Sequence, residues 1–219
     1  MNARTFWISV LVLASAARGW ADPPTGPELD VFQGVASIDQ DYYRVRVYND
    51  AVLNMSAFTV IHVESYNDAT FNLSADGLVT DGVVVEGSSL FNMAGGSVRG
   101  VKGGGTSVVN ILGGELSWVM SEGLEASTVN LRGGTIQLVE AQGGIVNVFG
   151  YAFVRTPQGH DSILTGKWQD GTPFDMRLFR DNVDGVPNPR IVLHEIPEPY
   201  SLVVLLWGGM LLKRSVRKL

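Results

Sequence analysis

The sequence predicts an all-β fold: a parallel β-helix with capping strands, set between an N-terminal signal peptide and a short C-terminal transmembrane helix. Three observations predict it. Asn54, Asn72, Asn92, Asn110, Asn130 and Asn147 recur at intervals of 17 to 20 residues. Apolar residues stand before, after and six positions beyond each of them, eighteen hits at eighteen positions in a chain that is 45% hydrophobic. Small residues occupy the positions three before each asparagine (Ala51, Ala69, Ser89, Ser107, Ser127, Gly144) and three after (Ala57, Ala75, Gly95, Gly113, Gly133, Gly150).

Residues 1–21 read as a secretory signal peptide. Arg4 precedes the apolar stretch Phe6 to Ala14, and small residues then lead to Asp22-Pro23-Pro24. Signal peptidase is the implied partner, cutting after Ala21, with Ser15-Ala16-Ala17 as a second acceptable site. Residues 22–50 form an N-terminal capping segment, in which Tyr43, Val45 and Val47 alternate without the asparagine frame. Between Asp22 and Glu198 lie all 22 acidic residues and only ten basic ones, a net charge of −12. That balance disfavours nucleic acid and anionic lipid as partners of the body. The chain has no cysteine, so an exported body must be stabilised by burial and backbone pairing around one continuous core.

Residues 51–160 are the repeats. Apolar residues two apart on either side of an asparagine point inward and the asparagine outward. Thr128-Val129-Asn130-Leu131-Arg132 shows this, followed by Gly133-Gly134 for a sharp corner and by a second strand with Ile136 and Leu138 inward. Leu78, Leu116, Phe153 and Trp118 are expected inside by the same counting. A unit of this size cannot close its own core. Stacked as coils, each strand pairs in parallel with its copy above and below. The outward asparagines then form a ladder of stacked amides that fixes register. Asn54-Met55-Ser56 and Asn72-Leu73-Ser74 also fit the glycosylation pattern, although in this frame they are rung positions. A left-handed β-helix needs a strict hexapeptide period, which the drifting coil length does not keep. A β-sandwich would not place one residue type in frame six times.

Residues 161–195 read as a capping hairpin and strand: Leu164–Trp168, a two-residue turn at Asp170-Gly171, Phe174–Leu178, then Ile191–Leu193. Open solenoid ends are aggregation-prone edges, which makes caps necessary. Pro187 to Pro199 is expected to link the body to the tail, residues 196–219. There Pro197-Glu198-Pro199 precedes an uncharged run from Ser201 to Leu212, and four of the last seven residues are Lys or Arg. A basic end is expected on the cytoplasmic side of a membrane segment. The run is short against the roughly 20 residues of a full span.

Two resemblances follow from these motifs. The tail (Pro197, Glu198, Pro199, an apolar run, a basic end) resembles the PEP-CTERM sorting tail of bacterial exported proteins. This resemblance implies handling by an exosortase, a membrane enzyme often found in bacteria that make extracellular polysaccharide. It also implies a membrane-anchored precursor that becomes a cell-surface or extracellular protein. The short run and Tyr200 before Ser201 depart from the usual pattern. The frame apolar-Asn-apolar-x-Gly-Gly, over Ala51 to Phe153, resembles the right-handed parallel β-helices of exported, autotransporter-like proteins.

Chemistry is less legible. Glycosidases need paired carboxylates on one face, yet the acidic residues of the repeats share no frame position. Glu122 and Glu125, around Gly123, are the nearest to a pair. His62, His160 and His194 are scattered, with no zinc spacing. The calcium nonapeptide is absent, and Gly103-Gly104-Gly105 lacks the Lys-Ser/Thr of a phosphate loop. No catalytic residue, metal or cofactor is expected. The reading is a non-catalytic surface or matrix protein, adhesive or structural, with extracellular polysaccharide as a possible partner. The alternative is a small or degenerate polysaccharide-active enzyme.

Overall fold

The computed structural model describes residues 26–122, 127–183 and 185–198. The signal peptide, Pro199 of the sorting motif, the apolar tail with its basic end, and Glu125 lie outside the described residues.

Three strands open the body: β1 (Glu28–Val31), β2 (Val35–Ser37) and β3 (Tyr42–Val47). Five coils follow, each a short strand and then a long one. They are β4 (Val52–Met55) with β5 (Thr59–Ser65), β6 (Thr70–Leu73) with β7 (Leu78–Val85), β8 (Leu90–Met93) with β9 (Ser97–Gly103), β10 (Val108–Ile111) with β11 (Glu115–Ser121), and β12 (Thr128–Leu131) with β13 (Thr135–Ala141). The sixth asparagine lies in β14 (Ile145–Gln158). The chain closes with β15 (Asp161–Lys167), β16 (Pro173–Phe179), the two-residue strands β17 (Asn182–Val183) and β18 (Val186–Pro187), and β19 (Ile191–Glu195). There is no helix among the described residues, and so none long and apolar enough to cross a membrane.

The molecule is a parallel β-solenoid of about six turns. Short strands stack in one parallel ladder, β2-β4-β6-β8-β10-β12-β14-β19. Long strands stack in a second, β1-β3-β5-β7-β9-β11-β13-β16. Residues 28–47, expected as a cap, pair in parallel with the coils like any other rung. Both ladders face one column of fully buried side chains, among them Leu53, Phe71, Phe91, Val109, Val129 and Val146. Like stacks on like: Phe71 lies on Phe91 at 5.1 Å, and Phe32, Tyr48 and Tyr66 stack at one corner with centroids 5.0 and 5.4 Å apart. Gly114 (φ 90°) and Gly134 (φ 88°) turn the corners after β10 and β12 in a conformation that strains any residue with a Cβ.

Four expectations need correction. Leu78 is 37% exposed, and Val79 takes the core position. The turn Ser74–Gly77 carries one more residue than its counterparts, so the frame moves by one. Trp118 and Leu138 are half-buried, not core, because Val119 and Val139 are the buried residues. In β11 two successive residues, Ser117 and Trp118, escape the core, so the inside–outside alternation slips once along the long strand. Phe153 does not continue the repeat. Beyond Gly150 strand β14 leaves the coil path and pairs antiparallel with β15, and β16 takes the place above β13. Finally, the β15–β16 connection is a three-residue loop, Gln169-Asp170-Gly171, closed by Trp168 N–H donating to Thr172 O and with Gly171 at φ 90°. This is the type I turn plus left-handed residue that hairpins use next after two-residue loops. The expected linker from Pro187 carries β19 as far as Glu195.

Candidate functional site

Three polar features stand outside the core: the asparagine row, a groove on the long-strand face, and ion-paired clusters at the two ends.

The asparagine row is the most regular. Asn54, Asn72, Asn92, Asn110, Asn130 and Asn147 are register partners from coil to coil. Each later side chain donates its Nδ2–H to the Oδ1 of the one before, at 2.9 to 3.0 Å. The side chains are half-buried. The amides therefore form one directional chain, and Asn147 is the member whose Oδ1 accepts from no other asparagine of the row. His194 Nε2 fills that place at 2.9 Å. The Asn147 oxygen can only accept, so the histidine must present Nε2–H. Its ring also stacks on Phe149 at 4.5 Å, and the Arg132 guanidinium lies 4.0 Å from the other ring's centre. Sequence reasoning placed the ladder but missed its histidine terminus. The residue of β19 in register with Asn147 is Val192, and His194 reaches back from two positions along.

The groove lies on the outer face of the long strands. A cavity of about 490 Å³ is lined by Leu78 and Thr80 of β7, Arg99 of β9, Ser117 of β11 and Gln137 of β13. A second cavity of about 1020 Å³ shares Glu115 and Thr135 with the first. It runs past the glycine corners to the β15–β16 loop, where Gln169, Asp170 and Asp175 line it. The shared residues make the two one groove along the solenoid. Beside it, the Trp118 indole lies flat over Gly100, where a Cβ would stand 2.0 Å from the ring. The Trp168 indole is buried at the far end and donates to Gly134 O at 2.9 Å.

Several acidic side chains elsewhere are engaged. Arg46 meets Glu28, Asp30 and Glu64 at 3.0 to 3.3 Å, and His62 lies 3.4 Å from both Glu64 and Asp81. Asp81 also faces Arg99 at 3.8 Å. Glu122 pairs with Lys102 of the coil below. In the cap, fully buried Asp181 accepts from Arg155 Nε at 2.7 Å, and Asp161 accepts from Arg177 Nε at 2.7 Å and from Arg180 N–H at 2.9 Å. The Arg180 backbone N–H, ahead of the Arg177 guanidinium, holds the Asp161 carboxyl below the usual carboxylate range against the opposing effect of burial. The two cap pairs were not legible in sequence, because their partners lie 26 and 16 residues apart with no frame to align them. Among the described residues no three His, Asp or Glu side chains gather closely enough to hold a metal ion.

No family model, curated protein or solved structure matches this chain.

Proposed function

We propose that the protein is an exported, non-catalytic component of the cell surface or extracellular matrix, adhesive or structural, whose right-handed solenoid is sorted through a PEP-CTERM tail. The observation that carries the scaffold reading is the asparagine ladder. The asparagine row repeated from coil to coil bonds each side chain to its neighbours in the row, which fits a row kept for register. Parallel strands joined by a crossover in one sheet are right-handed in about 98% of cases, which favours that hand here. The body's net charge of −12 and the basic ends fit export of the middle and retention of the termini at a membrane.

The sorting half of the reading rests on Pro197, Glu198 and Pro199 and is tested separately. In the native host, replacing the three by alanine should leave a membrane-retained precursor, followed by fractionation and immunoblotting. Unchanged release of the body would sink the exosortase assignment.

One observation favours the enzymatic alternative. Glu115 and Asp175 line the same cavity, and neither is ion-paired among the described residues. If the full chain cleaves a glycan and loses that activity in Glu115→Gln or Asp175→Asn, the scaffold reading fails.

A further inference from the structure

We propose that the groove from Thr80 to the β15–β16 loop binds a single extended, uncharged polysaccharide chain, aligned with the solenoid axis and ending against the loop. The proposal rests on the adhesive reading above and names its site and ligand class.

Four features of the groove carry it. Its lining is rich in neutral hydrogen-bonding groups, the hydroxyls of Thr80, Ser117 and Thr135 and the amides of Gln137 and Gln169. Such groups can both donate and accept, which is what a sugar hydroxyl requires. Apolar surface is interleaved with them: Leu78 and Leu112 are 37% and 53% exposed along its length. Those side chains can meet the C–H faces of pyranose rings.

Spacing is the third feature. The coils repeat every ~4.8 Å, close to the length of one sugar in an extended glycan. Successive rungs can therefore place one side chain each against successive sugars.

The fourth is charge. The two cations in the lining are already engaged, Arg99 with Asp81 and Arg132 over Phe149. Glu115, Asp170 and Asp175 set three negative charges against those two positive ones, which disfavours a polyanion. A peptide is disfavoured for a different reason. The groove floor is the side-chain face of strands already paired on both edges, β9 with β7 and β11, and β11 with β9 and β13. No backbone edge is left there for an extended peptide to join.

Affinity electrophoresis of the full chain in mild detergent tests this, with hydroxyethyl cellulose, dextran, xylan or alginate cast in native gels. The three neutral glycans are the probes and alginate is the anionic control. Wild type should be retarded by at least one neutral glycan and not by alginate. The double variant Ser117→Arg with Gln137→Arg, and separately Thr80→Arg two coils away, should bind about tenfold more weakly. Thr156→Arg, exposed on β14 and outside the groove, should bind as wild type does.

Undiminished retardation of both groove variants would overturn the site while leaving an adhesive protein that binds elsewhere. Stronger retardation by alginate would overturn the ligand class. No retardation by any of the three neutral glycans would overturn the groove proposal, and the tail experiment would still judge the sorted scaffold. Release of reducing ends during incubation would overturn the scaffold reading itself.

Discussion

The coils and the C-terminal cap solve the same problem with different materials. In the coils each residue's neighbour above and below is its own equivalent, so valine packs on valine, phenylalanine on phenylalanine and asparagine on asparagine. These core and ladder contacts are neutral and repeat by translation. The cap has no copy of itself to stack on. It joins β13 and β14 to unrelated sequence through an antiparallel hairpin, a buried tryptophan and two arginine–carboxylate pairs. Repetition lets a solenoid reuse one weak, well-placed interaction many times. A terminus must concentrate its stability in a few dissimilar contacts, and here the long-strand ladder passes from parallel coils into antiparallel β15 and β14.

The largest expected effect lies in the cap. Arg155→Ala leaves the Asp181 carboxylate without its partner in a site with no solvent exposure. Breaking a buried pair in this way costs about 3–5 kcal/mol. Urea unfolding of the variant should show the transition shifted well below wild type. A shift equivalent to less than ~1 kcal/mol would mean that the pair is screened like a surface bridge and that the contrast between cap and coil is overdrawn.

A smaller effect belongs to the ladder. Asn110→Ala removes one bond to Asn92 and one from Asn130, whereas Asn54→Ala removes only the bond from Asn72. At about 0.5–1.5 kcal/mol net per hydrogen bond, the central substitution should cost roughly 1–3 kcal/mol and the terminal one about half as much. Equal costs in the same urea assay would contradict a nearest-neighbour ladder.

The smallest effect is the response to acid. Asp161 has a carboxyl pKa below its ordinary value in the folded state. Its contribution is therefore fully present above the unfolded value of ~3.9 and is lost as pH falls through the depressed folded value. The asparagine amides do not titrate. Hydrogen exchange at descending pH, corrected for intrinsic rates, should show β16 losing protection before β10. Simultaneous loss would place the acid-sensitive step outside the cap.

Much of the fold could be read from residues. The frame around Asn54 to Asn147 predicted parallel stacking, the inward pairs and the amide ladder, since a repeat constrains every copy at once. The misreadings fall where the repeat is locally broken. One extra residue in Ser74–Gly77 moved Leu78 out of the core. A slip in the alternation turned Trp118 and Leu138 outward. Nothing in the spacing showed that β14 would leave the coil path past Gly150, because that path is set by pairing with β15. The groove was not legible either. Its lining comes from four coils and a hairpin loop, and no single repeat carries its pattern.

By itself the sequence determined the solenoid, its period, its asparagine row and the motifs at both ends, because translational repetition makes local spacing and long-range pairing the same information. Only the tertiary structure decided how the row ends on His194, which carboxylates of the cap are locked by arginine, and where the outer surface turns concave. Those depend on contacts between residues that share no period, brought together only once the chain is wound.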